Sequence, residues 1–271
     1  MKRSLLVIGI ILCCIPAYSW DLLGNAGSRG LAMGSCSVAV NDFWSIQNNP
    51  AGMALWSGTS VGISYENRFL MKELGYCNVA GLLPRSVGTF GLSYSRFGFE
   101  DYNENKVGLA FARAFGKYLR VGLQLDYLAF KFSDDYANRR TTTFELGLQS
   151  DITDALCLGV YIFNPINVKI KTETAQQVPA VFRLGLSYRI TDDFLTTTEI
   201  EYSSDKHPDY RIGMEYLATK EFYIRLGVHT DPASVGVGVG YTLNRVIIDA
   251  SVTTNQHTGV SFQTSLIFNI K

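Results

Sequence analysis

The sequence predicts an all-β protein: a fourteen-stranded antiparallel transmembrane β-barrel with a short N-terminal plug segment in its lumen. Three observations support this fold class. From Thr59 onward, large apolar residues alternate with small or polar ones in segments of about ten residues, the pattern of membrane-spanning strands. Short and long connections alternate between these segments. Residues 24–56, in contrast, lack strand alternation and are rich in turn-forming glycine and asparagine.

Residues 1–19 have the pattern of a signal peptide. Residues 1–3 include the basic pair Lys2-Arg3, residues 5–15 are apolar, and small residues follow at the positions that a signal peptidase requires. We therefore predict cleavage after Ser19 and delivery to the outer membrane. The apolar run is shorter than the ~20 residues of a membrane-spanning helix, so the sequence excludes a helical membrane protein. Lipid attachment at a cysteine within this run is a weaker alternative.

Charge and cysteine content exclude several functional classes. The formal net charge is +0, and removing Lys2 and Arg3 with the leader leaves 22 basic against 24 acidic residues, a net charge of −2. A chain with this charge has no electrostatic reason to bind nucleic acid. Cys36, Cys77 and Cys157 lack metal-site spacing, and a disulfide between two of them is left open. No metal and no cofactor is predicted.

The predicted barrel occupies residues 59–271 and contains fourteen strand segments with no proline in their centres. In chain order the centres are Val61–Tyr65, Tyr76–Leu82, Phe90–Arg96, Val107–Phe115, Val121–Ala129, Phe144–Leu148, Leu156–Ile162, Phe182–Ile190, Phe194–Tyr202, Tyr210–Tyr216, Phe222–Val228, Val235–Tyr241, Val246–Val252 and Phe262–Phe268. Every second connection is short. The intervening ones are mostly longer and more polar: Glu100–Asn105, Ser133–Arg140, Asn164–Pro179, Ser203–Pro208 and Thr254–His257. This asymmetry predicts periplasmic turns, extracellular loops and a barrel with both ends in the periplasm.

The two faces of the strands distinguish a membrane barrel from a soluble sandwich, which also alternates with period two. In the fifth segment Val121, Leu123 and Leu125 share one face, opposite Gln124 and Asp126. Charged residues facing a dry sandwich core would be costly, whereas a wet or plugged lumen accommodates them. We therefore expect the apolar face to contact lipid.

Residues 20–58 are predicted to form a compact insert. Asn49-Pro50 favours a turn, and Asp42 is expected to cap a short helix over Phe43–Gln47. We expect the following residues to position the segment rather than to act in catalysis: Asp42, Asn49, Pro50, Ala51 and Gly52.

The insert also carries a family resemblance, in the order Ser28–Gly34, Val38–Asp42 and Asn48–Ala54 (SRGLAMG, VAVND, NNPAGMA). This order resembles the N-terminal signature of the long-chain fatty-acid transporter (FadL) superfamily of outer-membrane barrels, and is closest to the PorV-like branch associated with type IX secretion. The resemblance covers about thirty residues and implies a plug inside the lumen. The alternative is a loop-rich extension packed on a soluble β domain.

The face predicted to line the lumen carries charges of both signs. These are Lys106, Asp126, Glu145, Arg183, Arg189, Glu199, Glu201, Arg211, Glu215, Arg225 and Asp249. Hairpin geometry places Glu201 near Arg211 and Glu215 near Arg225. The charges form either a polar substrate path or a structural ion-pair lattice that holds the plug, and we favour the lattice because buried charges are normally paired.

The twelfth segment has a face without side chains, formed by Gly236, Gly238 and Gly240. This face either makes room for the plug or for a lateral exit, or marks a curved, thinly packed strand. The sequence leaves these alternatives open.

No nucleophile–base pair or metal set is visible, so we do not expect an enzyme. The family resemblance implies passive transport of hydrophobic small molecules across the outer membrane, with outer-membrane lipid and a hydrophobic ligand as partners. The alternatives are a PorV-like docking or shuttle component that contacts secretion-system proteins, and a structural barrel. The expected extracellular loops are short, and the loop with Ile166, Val168 and Ile170 is expected to admit the apolar ligand.

Overall fold

The computed structural model describes residues 24–131, 138–168, 178–256 and 258–270. Fourteen strands form one closed antiparallel barrel, which confirms the predicted fold class. The strands are β1 Ser60–Asn67, β2 Gly75–Arg85, β3 Gly88–Gly98, β4 Asn103–Phe115, β5 Leu119–Lys131, β6 Arg139–Asp151, β7 Leu156–Phe163, β8 Val181–Thr191, β9 Phe194–Ser203, β10 Asp209–Leu217, β11 Phe222–Thr230, β12 Ala233–Leu243, β13 Val246–Asn255 and β14 Gly259–Asn269.

Each strand pairs with its neighbours in the chain, and β1 closes the barrel against β14. In this closing ladder Ser60 lies opposite Asn269 and Asn67 lies opposite Phe262. Where β8 pairs with β9, the register shifts between Arg189 and Thr191. Closure pairs the backbone groups that an open sheet would leave exposed at its edges, as a bilayer requires.

The connections divide the barrel into two ends. We call the end that carries the tight turns, such as Asp192-Asp193 and Asn244-Arg245, together with the start of β1 and the end of β14, the short-turn end. The opposite end, the loop end, includes the β1–β2 connection with 3₁₀ helices at Arg68–Leu70 and Lys72–Leu74. The predicted loop at residues 100–105 is too long, because β4 already begins at Asn103. Of the predicted loop at 133–140, residues 133–137 lie outside the described ranges.

The outer face of the barrel is apolar. Leu92 and Leu109 are each 60% exposed and Leu125 is 56% exposed, while their sequence neighbours are buried in the lumen. A band of exposed apolar side chains around a closed barrel is unfavourable in water and matches the hydrocarbon of a bilayer. Among the described residues, no helix is long and apolar enough to cross a membrane.

Residues 24–56 lie inside the barrel. They contain helix α1 (Ser28–Ala32), helix α2 (Ser45–Asn48) and a 3₁₀ helix at Pro50–Leu55. We call residues 24–56 the plug. Its buried residues contact inward-facing atoms of strands around the whole barrel, including Ser95 on β3 and Ser265 on β14.

The predicted helix over residues 43–47 with an Asp42 cap is wrong. Helix α2 begins at Ser45, and the residue before it makes no side-chain cap. Instead the Asp42 backbone N–H donates to Ser45 Oγ at 3.1 Å. The hydroxyl of Ser45 therefore stabilises the turn that leads into the helix, which is a role the sequence pattern assigned to the aspartate.

Candidate functional site

A belt of inward-facing glycines makes room for the plug. At each of these positions an added Cβ would contact a plug atom: Gly62, Gly91, Gly122, Gly147, Gly159, Gly185, Gly213, Gly227, Gly236 and Gly238. At Gly236, for example, the Cβ would lie 2.6 Å from the carbonyl oxygen of Leu31. Such contacts are too close for any side chain, so close backbone approach explains the glycine face of β12.

The described strands have no gap beside β12 through which a ligand could leave sideways into the membrane. Both neighbours of β12 are hydrogen-bonded along its length, from Ala233 to Tyr241 with β11 and from Ser234 to Leu243 with β13. The third glycine, Gly240, lies beside the charged ends of Arg225 and Asp249 rather than beside the plug.

Asn49 organises the second half of the plug. Its side-chain Nδ2 donates to the Val38 carbonyl at 2.6 Å, and its Oδ1 accepts from the Ala51 backbone N–H at 3.2 Å. The second bond satisfies an amide in the first turn of the 3₁₀ helix, where Pro50 has no N–H to satisfy. The Val38 carbonyl also accepts from Gln149 Nε2 at 3.0 Å, so it is the loss of the second bond that would leave a buried group, the Ala51 amide, unpaired.

Pro50, Ala51 and Gly52 make close packing contacts with the barrel wall and with the rest of the plug. The backbone of Pro50 and Ala51 presses on Gly122 of β5, and a Cβ at Gly52 would lie 2.8 Å from the Cβ of Ser45. The structure therefore gives the four motif residues packing contacts with the barrel wall and with the plug itself.

Glu199 on β9 links the wall to the first half of the plug. Its Oε2 accepts from the backbone N–H groups of Ser37 and Val38 at 2.8 and 2.9 Å. Its Oε1 accepts from Arg211 Nη1 at 3.0 Å. Two backbone donors and a guanidinium thus compensate one fully buried carboxylate.

Arg29 links helix α1 to the wall at the short-turn side of the lumen. Its Nε and Nη2 donate to both oxygens of Glu215 at 2.8 and 2.6 Å. Arg225 donates to the same carboxylate at 2.6 Å and to Asp249 at 2.6 Å. Burial is the largest single influence and lowers the pKa of Arg29, but the charge and hydrogen bonds of Glu215 together with the charges of Asp42 and Asp249 raise the pKa above its ordinary value. Arg29 therefore stays charged.

The remaining candidate charges mostly join a lattice on the wall. Glu201 lies 2.5 Å from Arg183 Nε and 2.7 Å from Arg211 Nη2. Lys106 lies 2.9 Å from Glu145. These contacts favour the ion-pair lattice over an open polar path. Arg189 differs, because its side chain is exposed near the short-turn end.

Asp126 lies in the same wall region as Lys106 and Glu145. Its Oδ1 accepts from Gln124 Nε2 at 2.9 Å. Asp126 Oδ2 and Glu145 Oε2 are buried without a hydrogen-bond partner among the described residues. The buried carboxylates of Asp126 and Glu145 are therefore less completely hydrogen-bonded than those of Glu199 and Glu215.

A buried apolar cluster lines the loop-end half of the lumen, and the sequence reasoning missed it. It comprises Val38, Ala39, Tyr76, Phe97, Leu128, Phe130, Tyr161, Phe163, Val178 and Val181. The alternation of side chains along the strands could have revealed it, because Phe130 and Phe163 stand on the inward face of strands whose outward face is already apolar. We call these residues the apolar cluster.

The loop residues predicted to admit an apolar ligand do not join this cluster. Ile166 is 59% exposed, Val168 is half-buried, and Ile170 lies outside the described residues. The apolar lining comes mostly from inward-facing residues near the loop ends of the strands, together with Val38 and Ala39 of the plug.

Several cavities remain in the described part of the lumen, and they lie toward both of its ends. The loop-end cavity, about 160 Å³, is lined largely by polar and charged groups, among them Arg183, Asp209 and His229. The short-turn cavity, about 170 Å³, lies between the plug and strands β10–β14. Within the described ranges, no group of three or more His, Cys, Asp or Glu side chains is placed to hold a metal ion.

The three described cysteines are free thiols. Cys36 is buried in the plug, and burial raises the pKa of its thiol well above the ordinary value. Cys36 is therefore a packing residue rather than a reactive one.

The fold is similar to that of solved hydrocarbon channels and transporters. The chain superposes on the CymD monoaromatic hydrocarbon channel with a TM-score of 0.71 at 12% identity, covering 93% of this chain and 99% of that one. For the Ralstonia pickettii toluene transporter TbuX the TM-score is 0.66 at 13% identity, with coverage of 90% and 97%. For a Pseudomonas aeruginosa FadL homologue it is 0.69 at 12% identity, with coverage of 92% and 99%. At the sequence level no known family and no curated protein matches.

Proposed function

We propose that this protein is an outer-membrane barrel that lets small hydrophobic molecules pass passively. The observation that carries this proposal is the apolar cluster at the loop end of the lumen. Such a cluster lowers the free energy of an apolar solute that contacts it, at roughly 25 cal/mol for each Å² removed from water.

The fold comparison supports the same direction, because CymD is a monoaromatic hydrocarbon channel and TbuX a toluene transporter. The apolar outer band supports residence in a bilayer, and the leader supports delivery to the outer membrane with cleavage after Ser19. Mass determination of the purified chain checks that cleavage site. The PorV-like docking role stays a prediction from thirty residues of sequence, as does a partnership with secretion-system proteins.

The test measures toluene entry into cells of a Gram-negative host that expresses the chain. We expect faster uptake of radiolabelled toluene than in cells with an empty vector, and no change for a sugar. Leu128→Asn keeps the side-chain size but places an amide in the apolar cluster. This variant should lower toluene uptake at least fivefold, because it removes apolar surface from the passage and adds a polar group that a hydrocarbon cannot satisfy.

Leu195→Asn is the matched control. Leu195 is on the inward face of β9, opposite Glu215, and is outside the apolar cluster. Its substitution should leave toluene uptake within twofold of the unsubstituted protein. Equal losses in both variants, or no uptake above the empty vector, would contradict the proposal.

A further inference from the structure

The short-turn cavity has one apolar side that is built by both the plug and the wall. Phe43 and Trp56 of the plug line it, with ring centroids 5.8 Å apart, and Ile247 and Ile267 line it from β13 and β14. The same side chains belong to or pack against one buried cluster, so their positions are fixed by packing. This cavity is separate from the apolar cluster at the loop end.

The opposite side of the cavity is charged, and its groups differ in how well they are paired. Arg29, Glu215, Arg225 and Asp249 are joined by the ion pairs of 2.6–2.8 Å described above. Asp42 is the exception. Its nearest guanidinium nitrogen lies 3.8 Å from Oδ2, and Ser45 Oγ lies 3.4 Å from Oδ1. The side-chain oxygens of Asp42 therefore lie 3.4 Å or more from these two partners and can accept a further hydrogen bond.

Size and chemistry together define a ligand. A cavity of about 150 Å³ lined by apolar side chains is large enough for benzene, and this one is about 170 Å³. The space therefore suits one six-membered ring with a small substituent. An ionised carboxylate only accepts hydrogen bonds, so the substituent must be a donor.

We propose that this cavity binds a single-ring aromatic compound with one hydroxyl group, a phenol. The ring lies against Phe43 and Trp56, and the hydroxyl donates to Asp42. The inference extends the proposed function by naming a substrate class and a second site on its route. Because all neighbouring strands of the described barrel are hydrogen-bonded, a ligand held here leaves through the short-turn end rather than through the wall.

The experiment titrates the purified full chain in detergent with phenol by isothermal calorimetry. We expect one phenol per chain, and at least tenfold weaker binding of anisole, which has the same ring but no donor. Asp42→Asn should weaken phenol binding roughly tenfold, since a hydrogen bond to a charged group is about twice as strong as a neutral one. Asp154→Asn is the matched control at an exposed turn, and it should change binding less than twofold.

Ile247→Trp provides a second variant that fills the cavity without altering charge, and it should abolish phenol binding. Circular dichroism and heat-modifiable migration report whether each variant folds. Equal affinity for phenol and anisole, or loss of binding in Leu128→Asn but not in Asp42→Asn, overturns the assignment. If cells take up toluene but the purified chain does not bind phenol, this inference alone is contradicted. If the chain binds phenol but cells do not take up toluene, the proposed function alone is contradicted.

Discussion

The carboxylate of Glu199 joins the barrel wall to the plug backbone, as that of Glu215 joins the wall to the side chain of Arg29. One oxygen of Glu199 accepts from two consecutive plug amides, and the other accepts from Arg211 on the neighbouring strand. A glutamine at this site would keep the shape but would lose the charge and would bring a donor group toward other donors. Breaking a buried pair in this way typically costs about 3–5 kcal/mol, because the partner charge stays buried.

We therefore expect Glu199→Gln to loosen the plug and raise ion conductance in planar bilayers several-fold. Glu201→Gln is the control, because Glu201 pairs with the wall residues Arg183 and Arg211 rather than with the plug. Both variants remove one lumenal charge, so an equal rise in both would mean that charge loss rather than anchoring sets the conductance.

The glycine belt shows how strands and plug depend on one another. A glycine within a strand costs about 0.5–1 kcal/mol relative to alanine, and ten inward glycines on one barrel are unfavourable unless something packs against them. The plug backbone supplies that packing. The strand sequences are thus matched to the plug, although they are far from it in the chain.

Gly122→Val tests this match. Valine favours strands, so the barrel should fold, but its Cβ would meet the Pro50 carbonyl carbon and lie 2.7 Å from its oxygen, displacing the plug. We expect conductance to rise while heat-modifiable migration is retained. Gly81→Val is the control, because its Cβ would have only ordinary contacts, 3.8 Å or more from Ser60 and Val61. Loss of the folded barrel in both variants would contradict the argument.

The strands could be predicted because each carries its own signal, an outward row of residues such as Val121, Leu123 and Leu125 that repeats with period two. The plug could not be predicted in detail. Its short helices are held by contacts with distant strands, and Asp42 looked like a helix cap although Ser45 performs the local hydrogen bonding. The apolar cluster was missed because Phe130 and Phe163 lie just beyond the predicted segment centres Val121–Ala129 and Leu156–Ile162, although both face inward.

The barrel as a whole is a closed wall around a filled lumen. Deleting residues 24–56 removes the material that fills it while leaving the fourteen strands intact. We expect the deletion variant to retain its β-type circular dichroism spectrum in detergent and to show a large rise in ion conductance in planar bilayers. A deletion variant that folds yet conducts like the intact protein would contradict the placement of the plug.

The plug enters and leaves the lumen at opposite ends. Gly24 lies beside Arg68 and Tyr76 at the loop end, whereas Trp56 bonds to Ser60 where β1 begins at the short-turn end. Residues 57–59 are thus a tether of three residues between plug and wall. A plug that moves out on so short a tether stays at a millimolar effective concentration near its site, so reclosure is an intramolecular event that dilution of the protein does not slow.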